Sequence, residues 1–312
     1  MFTRILVPTD FSAPSDAALA YARIVARRFN ATLHLMHVAE NVFLRAIVAD
    51  PRDADAATLR QLDERLTDEN RRAGAVPVVE RSDEPADAIV SYAKTAGIDL
   101  IVMGTHGRSG LAHLLMGSVA EHVLRAAPCP VVTVRDAGAV PEAATFTRIL
   151  VATDFSSASD AALQHARLLA AQFGSGLHLL HVIEEPVLGG PFGGAPDVYV
   201  GPDLAEIRSA QLKAAHERLA QQVTPTDRSR FHATTEVMLG KVADTIARYA
   251  DVNGFDLVVM GTRGRGGVAH LFMGSVAEHV VRTARCPVLT AHSGPEPARV
   301  PVIGTQAALA SA

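Results

Sequence analysis

The sequence predicts an α/β protein made of two tandem doubly wound domains, each a five-stranded parallel sheet of order 3-2-1-4-5 with helices on both faces. Two observations lead there. Short apolar runs alternate with helical patterns, which implies parallel strands joined by crossover helices. The alternation then repeats, because the 31 residues Gly104–Val134 return without a gap as Gly261–Ala291 with nine differences. Much of what the copies share is glycine and small polar residues, which pack little core. The retained feature is therefore largely backbone chemistry.

In the first copy Thr3–Val7 reads as a strand, followed by the turn Pro8-Thr9-Asp10-Phe11-Ser12. A helical pattern opens at Pro14, which suits a first helical turn, and continues through Leu19, Ala22, Ile24 and Val25 to Phe29. Thr32–Val38 is the second strand. A loop of low regularity precedes a charged amphipathic helix over Asp53–Arg72 and a short third strand, Val76–Val79. Glu84–Ala96 reads as a helix stopped by Gly97, and Leu100–Met103 as the fourth strand. A glycine-rich loop then leads to a helix over Ser118–Ala126 and a last strand, Val131–Val134. From Asp136 the composition shifts to Ala, Gly, Val, Pro and Glu, the mark of a linker. Phe146–Val151 then repeats Phe2–Val7, and Thr153–Ser156 repeats Thr9–Ser12. The second copy inserts a longer Gly/Pro-rich loop at Glu184–Pro202. The expected domains are residues 1–136 and 146–292, joined by a linker at 137–145, with 293–312 a flexible tail.

A chain of 312 residues with 48% hydrophobic and 20% charged residues reads as a soluble globular protein with ample core. Its formal net charge of −4 gives no electrostatic basis for a nucleic-acid partner. No apolar run approaches the roughly 18 residues that cross a bilayer, so no membrane partner is expected. Residues 1–10 open directly on a strand-like segment, which reads as the absence of a signal peptide. Cys129 and Cys286, each before a proline, read as buried small hydrophobes in a reducing cytoplasm, the expected location.

A doubly wound sheet binds ligands where its strand order reverses, here between strands 1 and 4. Those strands end at Asp10 and Gly104. The Asp10 carboxylate can accept hydrogen bonds from ribose hydroxyls, while the amides around Gly107, Gly117 and Ser118 face phosphates. Unpaired N–H groups and the positive end of a helix dipole both favour an anion there. Glycine at such a loop permits positive φ and close approach of the backbone. Arg108 and Arg265 would add charge to the two loops.

Familiar alternatives fail on spacing. The dinucleotide pattern G-x-G-x-x-G is missing after strand 1, where the chain has PTDFS. The Gly240-Lys241 pair lacks both the earlier glycine and the Ser/Thr of a Walker A loop. Plainer structural roles compete for single residues. Ser118 with Glu121, and Ser275 with Glu278, match capping boxes, and Asp10 could serve as a local cap of the first helix. Met103 and Met260 read as core. His34 and His37 lie three apart on one strand, so they point to opposite faces and cannot share a metal; no metal site is expected. The joint spacing Gly-x2-Gly-x9-Gly-Ser, found twice, favours phosphate binding over those separate roles.

These residues resemble the universal stress protein family in its tandem two-domain form, over nearly the whole chain outside the linker and tail. The most specific mark is the family's ATP-binding pattern, matched by Gly104, Gly107, Gly117 and Ser118 and again by Gly261, Gly264, Gly274 and Ser275. The resemblance implies that Asp10 and Asp154 contact ribose, with Pro8, Thr9 and Thr153 beside them. It implies that Val38 and Val182 offer backbone to adenine. Met103, Gly104 and Val119, with Met260, Gly261 and Val276, would line the two pockets. The second copy departs at Ala152 for Pro8 and at Arg263 for His106. The expected function is an ATP-binding regulator of the stress response, with ATP as ligand, with or without Mg. The two domains would form an intrachain pseudo-dimer through their last strands, with a homodimer and an unidentified protein partner as further options. The rivals are a slow ATPase or phosphotransferase, for which His106 could be a base, and a scaffold that holds no nucleotide.

Overall fold

The computed structural model describes residues 1–40, 51–106, 116–135, 145–185, 202–262 and 273–292. The first half runs β1 (Arg4–Pro8), α1 (Ala13–Phe29), β2 (Thr32–Ala39), α2 (Pro51–Arg65), α3 (Asp68–Arg72), β3 (Val76–Arg81), α4 (Pro85–Thr95), β4 (Leu100–Gly104), α5 (Ser118–Ala126) and β5 (Val131–Val134). The second half repeats it as β6 (Arg148–Ala152), α6 (Ser157–Phe173), β7 (Gly176–Glu184), α7 (Pro202–Gln222), α8 (Pro225–Phe231), β8 (Thr234–Gly240), α9 (Val242–Val252), β9 (Leu257–Gly261), α10 (Ser275–Thr283) and β10 (Val288–Ala291). The expected linker at 137–145, apart from Thr145, lies outside the described residues, as do the tail and residues 186–201 of the longer loop.

All ten strands join one sheet, ordered β3-β2-β1-β4-β5-β10-β9-β6-β7-β8. Each half has the expected 3-2-1-4-5 order, and every pairing within a half is parallel. Central strands of such a sheet are covered on both faces, so their side chains are apolar on both. In β1, Ile5 and Val7 enter one core layer and Leu6 the other, each at 0% exposure.

The first helix begins as its sequence demands. Ser12 takes the extended N-cap conformation, a proline occupies the first turn, and Asn30 closes the helix in the left-handed region. Ala18, Ala22 and Ala26 are buried on its sheet side. Side chains this small let the helix lie close to the strands. The single helix expected over Asp53–Arg72 is instead two, α2 and α3. The break comes at Thr67, whose hydroxyl accepts from the Asn70 amide while the Asn70 side chain accepts from the Thr67 amide. That reciprocal cap starts a new helix inside a continuous polar pattern.

The halves meet along β5 and β10, which pair antiparallel with Thr133, Val132 and Val131 opposite Val288, Leu289 and Thr290. This agrees with the argument that these apolar strands would otherwise be open edges. Beneath the seam lies a chain of rings. Phe2 packs on Phe29 (centroids 5.1 Å apart), Phe29 on Phe173 (6.4 Å) and Phe173 on Phe146 (5.1 Å). At each end a ring from the opposite half stacks on the cluster: Tyr21 on Phe146 at 6.1 Å and His165 on Phe2 at 6.0 Å.

Burial pushes the His165 imidazole down to about 4 from its ordinary value of 6.5. The folded chain holds this ring neutral, whereas the unfolded chain protonates it below about 6.5. Its contribution is thus fully present above the unfolded value and is lost as pH falls through about 4. Urea unfolding midpoints should therefore fall between pH 7 and pH 4, and less steeply in His165→Phe. Parallel pH profiles for the two proteins would show that the stacked imidazole is not the acid-sensitive group.

Candidate functional site

Where the first sheet half reverses its order, the carboxyl ends of β1 and β4 open onto a cavity of about 400 Å³. That volume lies in the range of small-molecule sites. Its wall includes Pro8, Thr9 and Asp10 after β1, Val38 on β2, Met103 and Gly104 on β4, and Gly117, Ser118 and Val119 at the start of α5. Nine of the expected contacts are thus brought together. Gly107 and Arg108 lie outside the described residues, as do Gly264 and Arg265 in the second half.

The β1 turn is fixed by its own polar groups. The Asp10 carboxylate accepts from the Ser12 amide at 3.1 Å and the Ser12 hydroxyl at 2.5 Å. Thr9 Oγ1 accepts from the Phe11 amide at 3.0 Å and bonds Ser15 Oγ at 3.0 Å. The turn holds Phe11 at φ 63°, a conformation that a bulky residue rarely adopts. The second half reproduces this at Asp154, Ser156, Thr153 and Ser159, with Phe155 at φ 64°. Strain kept at the same point twice marks a turn shaped by its surroundings. Asp10 is not the cap of the first helix, which is Ser12; the Asp10 carboxylate closes the turn that precedes the helix and lines the cavity.

Behind the turn stands His37. Its Nδ1 lies 2.8 Å from the Thr9 carbonyl, which can only accept, so Nδ1 carries the proton. The ring packs on Phe11 at 4.7 Å, and the Arg65 guanidinium lies over the Phe11 ring, 4.8 Å from its centroid. His181, Thr153, Phe155 and Arg218 repeat the arrangement. His34 points to the opposite face, where its Nδ1 meets the Tyr92 hydroxyl at 2.8 Å.

At the other wall, the Gly117 amide donates to the Thr105 carbonyl at 2.9 Å, and the first helical bond runs from Glu121 to Gly117. Gly117 is therefore the N-cap and Ser118 is the first helical residue. The capping-box reading of Ser118 with Glu121 is corrected: the N-cap has no side chain to close it. The same holds at Gly274, Ser275 and Glu278. The amides of Ser118, Val119 and Ala120 have no carbonyl one turn earlier within the helix to receive them, and all three residues line the cavity. Gly117 and Gly274 sit at φ −65° and −66°, so neither uses the left-handed freedom of glycine.

Glycine at the strand ends has a different reason. A Cβ on Gly104 would lie 3.0 Å from the Pro14 backbone, and one on Gly261 would lie 2.8 Å from Ala158. The first turn of α1 or α6 crosses directly over the strand terminus.

Several wall residues carry no motif in the sequence, namely Ser15, Glu40, Ser82, Asp83, Pro85, Ile89 and Thr105, and His106, named above as a possible base, joins them. The β3–α4 junction carries no motif, so only the folded sheet brings it there. His106 Nδ1 lies 2.9 Å from Thr105 Oγ1, while its Nε2 is buried without a hydrogen-bond partner among the described residues. In the second half Thr262 meets His292 instead. The pairs His122–Asp87 (2.9 Å) and His279–Asp244 (2.7 Å) tie α5 to α4 and α10 to α9. Burial pushes the thiols of Cys129 and Cys286 up to about 12 and about 11, which suppresses the reactive thiolate. No helix among the described residues is long and apolar enough to cross a membrane.

The sequence model of the universal stress protein family matches residues 1–135 and again 145–292. A universal stress protein of Mycolicibacterium smegmatis is 28% identical over 91% of this chain and 95% of its own length. One of Mycobacterium tuberculosis is 34% identical over 70% of each chain. The crystal structure of a universal stress protein from Archaeoglobus fulgidus superposes with a TM-score of 0.65 at 22% identity, covering 94% of this chain and 97% of that one, and shows the same fold.

The close helix crossing makes its own prediction. Gly261→Ala should lower stability by about 1–3 kcal/mol, because Ala158 and Ser159 backbone must move to admit the methyl group. A urea midpoint equal to that of the unsubstituted protein would show that α6 does not press on the strand end.

Proposed function

Because the chain belongs to the universal stress protein family, we propose that it is a cytoplasmic ATP-binding protein that regulates a stress response through nucleotide occupancy. The observation that carries this reading is the shared wall of one cavity: it is lined both by the Asp10 turn and by the first residues of α5, whose amides have no carbonyl within the helix to receive them. A carboxylate suits ribose hydroxyls, and helix amides suit phosphate oxygens. The buried Nε2 of His106 is a further polar atom at that wall, without a hydrogen-bond partner among the described residues.

In this reading residues 1–136 and 146–292 each hold one nucleotide, with or without Mg. Asp10 and Asp154 take the ribose, flanked by Pro8, Thr9 and Thr153. Val38 and Val182 offer backbone to the base. Met103 and Val119, with Met260 and Val276, form the apolar walls. Gly104, Gly107, Arg108, Gly117 and Ser118 receive the phosphates in the first site. Gly261, Gly264, Arg265, Gly274 and Ser275 do so in the second. Occupancy would be read by a protein partner or by a second copy of the chain.

Gly117 is at an ordinary φ, so a side chain there fills the phosphate space without straining the backbone. Each hydrogen bond to a charged group contributes about 1.5–3 kcal/mol, so losing two weakens binding by about a hundredfold or more. Calorimetric titration with ATP should count two sites in the unsubstituted chain, one in Gly117→Val, one in Gly274→Val and none in the folded double variant. An unchanged count in that double variant would overturn the reading.

The contacts named include no Walker lysine, so binding should outrun cleavage. Turnover should stay below the usual enzyme range of about 1–10³ s⁻¹. A rate within that range, abolished by His106→Ala, would favour an ATPase instead.

A further inference from the structure

The two halves share their strand ends and turns but differ at the junction that leads into α4 and α9. From matching strand positions to the first helical residue, the first half reads Arg81, Ser82, Asp83, Glu84 and Pro85, and the second, one residue shorter, reads Leu239, Gly240, Lys241 and Val242. The second junction has no counterpart of Asp83 and puts a lysine at the helix N-cap where the first has Glu84, so with Arg81 set against Leu239 its rim is more positive by two unit charges. Ser82, Asp83 and Pro85 line the first cavity. The His–Asp pairs fix where this rim lies. Asp87 and Asp244 are in the first turns of α4 and α9, one turn beyond Glu84 and Lys241. His122 and His279 are one turn beyond Ser118 and Ser275, and the pairs close at 2.9 and 2.7 Å. The two helix N-termini therefore lie side by side in each half. Glu84 and Lys241, each the N-cap of its helix, therefore stand at the end of α4 or α9 that neighbours the start of α5 or α10.

Lys241 serves no evident structural end at that position. It is exposed, makes no side-chain cap hydrogen bond and has no ion pair among the described residues. A cation at a helix N-terminus also works against the helix dipole, whereas Glu84 at the matching position works with it. The chain before it is specialised too. Gly240 has φ +147°, and a Cβ there would lie 2.7 Å from Thr245 Oγ1.

Resting on the two-site nucleotide reading, we propose that Lys241 makes the second half the polyphosphate site of the chain, selecting nucleoside triphosphates over monophosphates. The first half, with Glu84 and Asp83 at its rim, discriminates less or favours the less charged nucleotide. The selectivity is Coulombic, since ATP carries more negative charge than AMP and both would share the same base and ribose contacts.

The test isolates each site in the full chain, using Gly117→Val to leave the second and Gly274→Val to leave the first. Each is titrated with ATP and with AMP at low salt without Mg. The ATP-over-AMP preference should be on the order of tenfold greater at the second site and should shrink as salt is added. Lys241→Glu should cut that preference by about tenfold while leaving the thermal midpoint equal or higher, because the dipole then favours the side chain. A purely structural lysine would move stability without moving the preference. Lys241→Gln should give a smaller loss and serves if the glutamate variant does not fold. Glu84→Lys should raise the preference at the first site. Equal preferences at the two sites, or a preference unmoved by removing the Lys241 charge, would overturn the inference while leaving nucleotide binding intact. Failure of the unsubstituted chain to bind either nucleotide would overturn the binding reading itself, and the inference with it.

Discussion

The three-residue antiparallel ladder between β5 and β10 is the contact on which the rest of the architecture depends. Each half, taken alone, ends in a short strand with four fully buried apolar or small positions and an open hydrogen-bonding edge. Pairing the two edges satisfies both at once. Side chains reinforce the ladder symmetrically: Thr133 Oγ1 donates to the Val288 carbonyl and Thr290 Oγ1 to the Val131 carbonyl. Once the sheets join, the ring cluster of Phe2, Phe29, Phe146 and Phe173 comes under cover, and a single apolar layer runs from one half to the other. The same ladder fixes β4 and β9, whose carboxyl ends carry Gly104 and Gly261, at two places from the seam.

Much of this was legible in the chain because its signals are local. Runs such as Ile5–Val7 and Leu100–Met103 are too short and too apolar for anything but buried strands, and the alternation with helices then leaves few topologies. The repeat supplied the rest, since two copies of one unit imply two like folds. What failed was the finer reading of polar residues. Thr67 and Asn70 sit inside a charged pattern of helical period, where only their reciprocal bonds reveal a break. Ser118 with Glu121 has capping-box spacing, yet Gly117 is the N-cap and Ser118 is already the first helical residue, as the helix expected over Ser118–Ala126 has it.

The candidate site divides in the same way. Its glycines and Asp10 are visible as spacing, because backbone approach and short polar turns leave a sequence trace. The β3–α4 junction and the orphaned nitrogen of His106 are not, since each acquires meaning only from a neighbour distant in sequence. The structure also separates two kinds of glycine that look alike in the motif. Gly104 and Gly261 are needed because a helix passes over them, whatever is bound. Gly117 and Gly274 have ordinary backbone angles, so no left-handed conformation calls for glycine there.

The ring contacts flanking the seam have a wider consequence. Tyr21 and His165 occupy matching places and stack on matching phenylalanines, yet they are different residues. In an assembly of two identical chains, any change at such a place is made twice and must be tolerated twice. Covalent fusion of the halves lifts that restriction, so each partner of a near-symmetric contact can drift alone while the other preserves the fit. The chain thus joins two like halves without holding them to exact symmetry, and they can acquire separate chemical characters without losing the joint they share.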